Sequence, residues 1–339
     1  MAVARSSPRT TRLAAHNPLN SESEDTPIDS PPPAPRRIAF LILAHNDAPL
    51  LLRLCHHLRD HAVFLHIDAK SRDFPTEQFA ALKNVVLIQP RLSVHWADFS
   101  MVETTLALLR TALNQNESFS KYVLISGACY PVKPIDHLST VFNTDDDLNY
   151  IRLTAISPAT PHLWTLVSRH WRMTPLLSDD LMARQPALRG LEKKARAVLN
   201  KLSSYHPRDF QKEVGCPIYF GSSWWAFSEP CARYIVDYVH DHPAFLRAFR
   251  FTYATDELLY HTIVAQSPFA ANTLGVQPDE GAGTNQQTPL HLIHPSEKRV
   301  FGSTDADFDL AKSTDKFFIR KVSTQDTDDL LDRIDRELL

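Results

Sequence analysis

Glycine is scarce in this chain, with 8 glycines in 339 residues against 24 prolines. No GxGxxG and no GxxxxGK[ST] pattern occurs, so the sequence offers neither a dinucleotide fingerprint nor a P-loop. The 4 cysteines, Cys55, Cys129, Cys216 and Cys231, include no CxxC pair. Their scatter is typical of a reduced compartment and argues against a zinc cluster or a disulfide framework.

A strong charge and a long apolar run are also missing. The formal net charge is -3 and both signs are interspersed, so the whole chain has no field to hold nucleic acid or an anionic membrane. The longest apolar run, IAFLILA at 38–44, has the length of a strand, whereas a spanning helix needs about 20 residues. The overall composition is that of an ordinary globular protein.

The chain divides into a tail and one folded region. Residues 21–36, SESEDTPIDSPPPAPR, have a composition that cannot bury a core, so we expect 1–36 to be a disordered N-terminal tail. Three arginines and no acid in the first twenty residues faintly resemble a transit peptide, but no apolar face recurs there. We expect a single domain over 37–339.

Strand and helix patterns alternate along this domain. Apolar runs predict strands at 38–44, 61–70, 84–88 and 121–132, and helical spacing predicts helices that include 48–60 and 100–113. Ser100 with Glu103 has the pattern of a capping box, and Thr255 that of an N-cap. The alternation predicts an α/β fold with a mostly parallel, doubly wound sheet.

Ligands of such sheets bind at the carboxyl ends of the strands. The polar residues that follow the predicted strands are therefore candidates for a site: His45, Asn46, His66, Asp68, Ser126 and Gly127. His66 and Asp68 share one side of their strand and could hold a metal, a ribose hydroxyl or a base edge. A solvated strand end is the simpler interpretation.

Three further groups carry possible chemistry. Asp145–Asp147 could clamp a metal on a nucleotide diphosphate, or form a solvated acidic turn. Trp224 and Trp225 would face opposite sides of a strand, so one could stack on a sugar ring while the other packs in the core; both could equally be core. Asp256 and Glu257 precede a helical pattern, where the helix dipole favours acids whether or not they act in catalysis.

The order of the motifs resembles one family. IAFLILAHN, VFLHIDAKS, VHWADFSMVETTLALLRTAL, YVLISGACYPV, FGSSWWAFS, TDELLYHT and FFIRKV follow one another as in the core-2/I-branching β-1,6-N-acetylglucosaminyltransferases and peptide O-xylosyltransferases, glycosyltransferase family 14. Each motif is weak alone, but seven in register are specific. The resemblance runs from about Ile38 to the C-terminus.

The resemblance implies a GT-A-like fold, with a Rossmann-like, mostly parallel sheet and helices on both faces. It implies inverting transfer of a sugar, N-acetylglucosamine or xylose, from a UDP-sugar to a hydroxyl of a glycan or glycolipid. Members of this family work without a metal, so no cofactor is expected besides the UDP-sugar co-substrate. Bacterial members of this kind generally build surface polysaccharide.

The same resemblance assigns roles to particular residues. Glu257 falls at the catalytic base, and the helix N-terminus would keep it ionised. Lys321, beside Arg320, falls at the lysine that contacts the diphosphate, and either Lys298 or Arg299 supplies a second cation. Asp68 falls at the aspartate that reads the uridine, and Trp96 falls close to the base. The positions that border the acceptor and donor sugar are Trp224, Trp225 and Asp256.

The sequence departs from the family at two motifs. Cys129 stands where the family usually has an aspartate, and the family's V-x-W-G-G is Val94 to Asp98 here, without either glycine. These changes favour, as an alternative, a catalytically degenerate carbohydrate-binding or assembly subunit; a third interpretation is a metal-dependent, retaining transferase that uses the acidic triplet. Without the membrane anchor of Golgi members, we expect a cytoplasmic protein, with peripheral association at the inner face of the membrane left open and no nucleic-acid partner.

Overall fold

The structure, a computed structural model, describes residues 35–145, 147–277 and 287–339. Pro35–Leu339 forms one compact unit. The predicted tail therefore lies outside the described residues except for its last two. Of these, Arg36 is already part of the fold, because its N–H donates to Asn143 Oδ1 over 2.9 Å and its carbonyl accepts from Asn143 Nδ2 over 3.1 Å.

Short strands and helices alternate along the described chain. The strands are β1 (Ala39–Ala44), β2 (Ala62–Ile67), β3 (Val85–Leu87), β4 (Tyr122–Ser126), β5 (Cys129–Pro131), β6 (Leu153–Ala155), β7 (Tyr219–Phe220), β8 (Ala226–Phe227), β9 (Val276–Gln277), β10 (His291–Ile293) and β11 (Phe318–Arg320). The helices are α1 (Ala48–His57), α2 (Thr76–Ala80), α3 (Phe99–Leu113), α4 (Ile135–Thr144), α5 (Pro161–Val167), α6 (Asp179–Arg184), α7 (Leu188–Ser203), α8 (Phe210–Val214), α9 (Glu229–Asp241), α10 (Pro243–Ala248), α11 (Leu259–Ala265), α12 (Asp305–Ser313) and α13 (Thr324–Glu337). Single 3₁₀ turns lie at Phe249–Phe251, Thr255–Glu257 and Ala270–Asn272.

The central sheet has the strand order β3-β2-β1-β4-β8. The first four of these strands are parallel, and β8 is antiparallel to β4. Both faces are buried: Phe40 and Ile42 point into one apolar cluster with α1 and α4, while Ala39 and Leu41 point into another with α3 and α9. The α/β class, the mostly parallel sheet and the helices on both faces are therefore confirmed.

Burial on both faces explains why β1 reads as an unbroken apolar run rather than an alternating one. The predicted strand 121–132 is in fact two strands that belong to different sheets. β4 ends at Ser126, where the Gly127 N–H donates to the Leu43 carbonyl over 2.9 Å. β5 then turns away and pairs with β11, so that Cys129 lies opposite Arg320.

Two helix starts differ from the sequence prediction. Asp98, not Ser100, is the N-cap of α3, and its carboxylate accepts from the Ser100 N–H over 3.0 Å. Thr255 lies inside a 3₁₀ turn, and α11 begins only at Leu259. At α3 the acceptor two residues earlier, Asp98, replaces the expected cap. Before α11 a tighter 3₁₀ turn takes the place of the expected cap.

The C-terminal sheet, of order β10-β11-β5, is fixed to the central sheet by the last helix. On α13, Asp335 accepts from Arg53 Nη2 of α1 and from the Tyr130 hydroxyl of β5, each over 2.7 Å. These bonds join α1, β5 and α13. Since β5 pairs with β11, the network also holds the strand that carries Arg320.

Trp225 belongs to the core. Its side chain is fully buried, stacked on Phe227 with ring centroids 4.0 Å apart, and 5.3 Å from the ring of Tyr260. We expect Trp225→Ala to lower the free energy of unfolding by about 3–5 kcal/mol, because it leaves a large cavity. Trp96→Ala is the matched control, since Trp96 is 74% exposed, and should change it by less than about 1 kcal/mol. Urea unfolding of both variants measures the difference, and equal losses would contradict this placement.

Candidate active site

The carboxyl ends of the parallel strands bring several predicted polar residues together. His45 follows β1, Asp68 follows β2 and Ser126 ends β4. The Asp68 N–H donates to the Ala44 carbonyl over 2.9 Å, which fixes the loop after β2 beside the loop after β1. This edge of the sheet is therefore one polar rim.

Asp68 is buried at this rim and holds a basic residue. Its carboxylate accepts from the Lys70 N–H over 2.9 Å and from Lys70 Nζ over 2.8 Å. Lys70 Nζ also donates to the Val94 carbonyl. The guanidinium of Arg91 donates to the carbonyls of Ile67 and Asp68 over 2.9 and 2.6 Å. Neither Lys70 nor Arg91 could be recognised from the sequence, because both lie in loops without periodicity.

Arg320 reaches the same rim from β11. Its guanidinium donates to the Ser126 hydroxyl, lies 3.6 Å from Cys129 Sγ and stacks 4.4 Å from the centroid of the Trp224 ring. Burial lowers the pKa of Arg320. Among the described residues no carboxylate forms an ion pair with it, since Cys129 stands opposite. Arg320 is thus a half-buried cation without a fixed counter-ion.

Lys321 and Arg299 add two more cations. The Lys321 N–H donates to the Arg299 carbonyl over 3.2 Å, so the two backbones are adjacent. Burial lowers the pKa of Lys321, and the charges of Arg320 and Arg299 lower it further. Of the two alternatives left by the sequence, Arg299 is therefore the cation whose charge acts on Lys321, although Lys298, Arg299 and Lys321 are all exposed.

The pKa of His45 is affected by several of these charges, which shows that they lie close together. Burial lowers its pKa, the charge of Asp68 opposes this shift, and Arg320, Lys70 and Lys321 reinforce it. A single imidazole therefore senses charges from β2, β11 and their loops. The rim is a mixed site in which cations outnumber the buried acid.

The paired acids lie beside this rim. Asp256 is buried and accepts from the Ser223 hydroxyl over 2.6 Å. Ser223 directly precedes Trp224, so Asp256 is joined through this strand-like segment to Arg320. The Gly221 N–H donates to the Glu257 carbonyl over 3.0 Å, which fixes the backbone between the two acids and the same segment.

The pKa of the Glu257 carboxyl group is raised well above its ordinary value. Burial, followed by the neighbouring charge of Asp256, raises its pKa to about 8, while Ser223 and the charge of Arg299 act in the opposite direction. Burial raises the pKa of Asp256 as well. The expectation that a helix N-terminus keeps Glu257 ionised is wrong for this chain, since α11 starts after Glu257 and desolvation dominates.

Gly221 is needed for this arrangement. A Cβ at this position would lie 2.4 Å from the Arg152 carbonyl oxygen and 2.5 Å from the ring of His261. No side chain fits there without moving the backbone that holds Glu257. The sequence shows Gly221 only as a turn residue, so its role as a close-packing position was not visible.

Trp96 is placed at the outer side of the acids. Its ring packs edge-on against Tyr253, with centroids 5.7 Å apart, and the charge of Glu257 raises the pKa of Tyr253 after burial does. Ala97 next to it has φ 58, the left-handed conformation. An alanine thus adopts a left-handed conformation that a glycine would adopt easily, and this costs the fold roughly 1–2 kcal/mol.

The two tryptophans of the SSWW segment separate. Trp224 lines the site under Arg320, as described above. Trp225 points into the core, where no sugar can reach it, so its expected place beside the acceptor and donor sugar is corrected. Both rings are nevertheless buried: Trp224 is 9% exposed and belongs to the same apolar cluster as Trp225, so burial supports the alternative in which both pack in the core.

The acidic triplet lies elsewhere in the fold. The Asp145 carbonyl accepts from Lys121 Nζ over 2.8 Å, and Lys121 precedes β4 at the amino end of the parallel strands. Asp145 Oδ2 accepts from the Tyr150 hydroxyl over 3.2 Å. Asp146 lies outside the described residues. At about 3.3 Å per residue, the length of β4 separates Asp145 from the rim at Ser126.

The arrangement suits one kind of chemistry. A rim with Arg320, Lys321 and Arg299 attracts a polyanion such as a diphosphate, because a half-buried guanidinium without a carboxylate partner gains most from a bound phosphate. A carboxyl group with a pKa near 8 can exchange a proton at neutral pH. Among the described residues no cluster of three metal-ligating side chains is present.

Comparisons with known proteins agree with the sequence motifs. The family model described as Branch: Core-2/I-Branching enzyme matches residues 38–277, more than half of the chain. Xylosyltransferase 1 of Rattus norvegicus is 26% identical over 141 residues, 39% of this chain and 17% of the rat protein. Xylosyltransferase oxt of Drosophila melanogaster is 24% identical over 241 residues, 67% of this chain and 24% of the fly protein.

The chain therefore spans a quarter or less of the curated relatives it matches. Among solved structures, one described as WbbM bifunctional glycosytransferase apo structure covers 91% of this chain and 50% of that chain, with 13% identity and a TM-score of 0.34. That likeness is too low to carry an argument. Within the described ranges, no helix is long and apolar enough to cross a membrane.

Proposed function

We propose that this chain, which belongs to the core-2/I-branching enzyme family, is a glycosyltransferase that moves a sugar from a UDP-sugar to a hydroxyl group with inversion. The acceptor that we propose is a glycan or glycolipid, and the donor sugar N-acetylglucosamine or xylose. Synthesis of surface polysaccharide is the cellular role that fits such an acceptor. The names of the two xylosyltransferase relatives support the donor class.

One observation carries the proposal. Arg320, a half-buried guanidinium, faces the sulfur of Cys129 instead of a carboxylate and is flanked by Lys321 and Arg299, at the carboxyl edge of a parallel sheet. This edge is where open α/β sheets bind nucleotides. A diphosphate would supply the missing negative charge, and Trp224, which lies beneath Arg320 and is 9% exposed, would border the sugar.

The reaction is a single displacement at the anomeric carbon. The acceptor oxygen forms a bond to this carbon while the bond to the diphosphate oxygen breaks, and the acceptor proton passes to the Glu257 carboxylate. The leaving UDP gains negative charge, which Arg320, Lys321 and Arg299 stabilise. Asp256, held by Ser223, keeps the Glu257 backbone in place and raises its basicity.

The activity should depend on pH through Glu257. Its pKa of about 8 means that the carboxylate, the form that accepts the proton, is the minor species at pH 7 and the major one above pH 8. We therefore expect kcat/KM to rise with pH from 6 and to level off above about pH 8. A pH profile of initial rates measures this, and a profile that is flat or falls over this interval would contradict the assignment.

The proposal excludes a metal clamp at the acidic triplet, because Asp145 lies at the other end of β4 from the rim.

To test the proposed function, the full chain is incubated with a panel of UDP-sugars, and thermal shift, UDP release and product are measured. A true donor should raise the unfolding temperature by mass action, and UDP release should continue undiminished in EDTA. Loss in EDTA with recovery on Mn²⁺ would revive the metal-dependent alternative.

A degenerate binding subunit is the second candidate, favoured by Cys129 in place of the family's aspartate. It predicts thermal stabilisation by the nucleotide sugar without UDP release at any pH. The same panel distinguishes the two outcomes.

A further inference from the structure

Helix α7 has a polar face toward the protein and an apolar face toward the solvent. Its only buried residue is Glu192, and none of its apolar residues belongs to a buried apolar cluster of the described chain. Several large apolar side chains point outward instead: Leu191 is 64% exposed, Val198 57%, Leu202 54% and Tyr205, just after the helix, 69%. An ordinary surface helix of a globular protein shows the reverse pattern.

The inward face of α7 is polar, and its side chains hydrogen-bond to backbone groups of the segment 170–176. Glu192 Oε1 accepts from the Leu176 N–H over 3.1 Å, and Asn200 accepts from the Arg172 N–H over 2.7 Å and donates to its carbonyl over 3.1 Å. Ser203 donates to the His170 carbonyl over 2.5 Å. The orientation of the helix is therefore fixed by hydrogen bonds, not chosen by apolar burial.

The outward apolar face is bordered by cations. Arg189, Lys193, Lys194 and Lys201 lie on the helix, while its one acid, Glu192, is buried and paired with Arg196 over 3.0 Å. Lys194 and Lys201 are four residues before and three residues after Val198, so they are its neighbours on the helix surface. The chain as a whole carries a net charge of -3, which makes this local excess of positive charge a distinct feature.

The apolar face continues into a groove. Leu199 and Leu202 line one wall, Trp171 and Phe251 the other, and the cavity has a volume of about 370 Å³. Trp171 packs against Tyr253 with ring centroids 5.2 Å apart, and Tyr253 is the neighbour of Trp96 and Glu257 at the candidate active site. The groove and the site are thus on connected surfaces.

We propose that α7 is an interfacial helix that docks this protein on an anionic lipid bilayer. An apolar face of leucine, valine and tyrosine, flanked by lysines whose ammonium groups reach the headgroups, is the pattern of helices that lie in the membrane interface. The lysines decide the occupant, because a second copy of the chain would bring like charges together. Docking through α7 places the Trp96–Tyr253 side of the site near the membrane and, resting on the proposed function, points to a lipid-linked acceptor.

Co-sedimentation with vesicles tests the proposal, using the full chain without any sugar nucleotide. We expect partition onto vesicles of phosphatidylcholine with about 30% phosphatidylglycerol to exceed that onto pure phosphatidylcholine by at least about tenfold, since each lysine near an anionic surface contributes about fivefold. Leu191→Gln with Leu202→Gln should reduce partition at least about tenfold. Lys194→Glu with Lys201→Glu should abolish the preference for anionic vesicles.

Matched controls separate α7 from the rest of the surface. Val86→Gln with Val276→Gln changes two exposed valines elsewhere, and Lys83→Glu with Lys312→Glu changes two exposed lysines elsewhere; both should bind like the unaltered protein. All variants should unfold at the same temperature, since the altered side chains are exposed. The proposal is overturned if the unaltered chain stays in the supernatant or if the α7 variants still pellet with the vesicles. It is also overturned if light scattering shows a dimer that dissociates in the α7 variants. A failure of sugar transfer would leave this binding measurement unaffected.

Discussion

Glu257→Gln should abolish turnover while making the folded protein more stable. Loss of the general base is expected to lower kcat by about 10²–10⁴-fold, because glutamine cannot accept the acceptor proton. The fold should gain stability, since burial and Asp256 make the Glu257 carboxylate unfavourable. Stopped-time assays of UDP release and thermal unfolding measure the two effects on the same sample.

The stability gain has a definite pH dependence. The folded pKa of Glu257, about 8, exceeds its ordinary value of 4.5, so the stability contributed by the protonated form is complete below pH 4.5 and is lost as the pH rises to 8. The unfolding temperatures of Glu257→Gln and the unaltered protein should coincide near pH 4.5 and separate above it, by about 2–4 °C for each kcal/mol. Glu77→Gln, on the surface of α2, is the control and should change neither property.

A gain in stability without a loss of activity would remove Glu257 from the chemistry but keep its buried position. A loss of both would indicate that the glutamine disturbs the 3₁₀ turn instead. Only the opposite movement of kcat and unfolding temperature identifies an acid that is kept buried at a cost to stability because the reaction uses it.

Lys321→Ala should lower kcat by about 10²–10³-fold, the loss typical of removing one fixed donor to a developing negative charge. Lys321 lies beside Arg299 and shares the rim with Arg320, so the remaining cations still bind the diphosphate. We therefore expect kcat to fall more than KM rises. Steady-state kinetics over a range of donor concentrations measure both constants.

The neighbouring basic residues make this test specific. Arg299→Ala should reduce kcat as Lys321→Ala does, whereas Lys298→Ala should have a much smaller effect, because Arg299 is the residue whose charge reaches Glu257 and Lys321. Lys83→Ala, in an exposed loop, controls for the general loss of positive charge. Equal losses in all four variants would show that net charge, not position, matters.

The sheet could be predicted because its signal is local. β1, β2 and β4 are apolar runs that are buried on both faces, and each run contains all the information needed to recognise it. Polar residues directly after these strands, such as Asp68 and Ser126, could be placed at one edge for the same reason. The parallel order of the strands then follows from the intervening helices.

The contacts that define the candidate site could not be predicted in this way. Cys129 and Arg320 are 191 residues apart, and nothing in either segment indicates that β5 and β11 pair. The raised pKa of Glu257 depends on burial by distant segments, whereas the local sequence indicated only a helix start. Asp98 displaced Ser100 as the cap of α3 because two acceptors compete at that turn, and spacing alone does not rank them.

The cysteine opposite Arg320 also affects what happens after catalysis. A cleft whose cations have no resident counter-ion attracts spent UDP as strongly as it attracts the donor. We expect UDP to compete with the donor for the site, because both present a diphosphate to the same cations. An aspartate at position 129 would neutralise Arg320, and would exchange some affinity for the donor for faster emptying of the site.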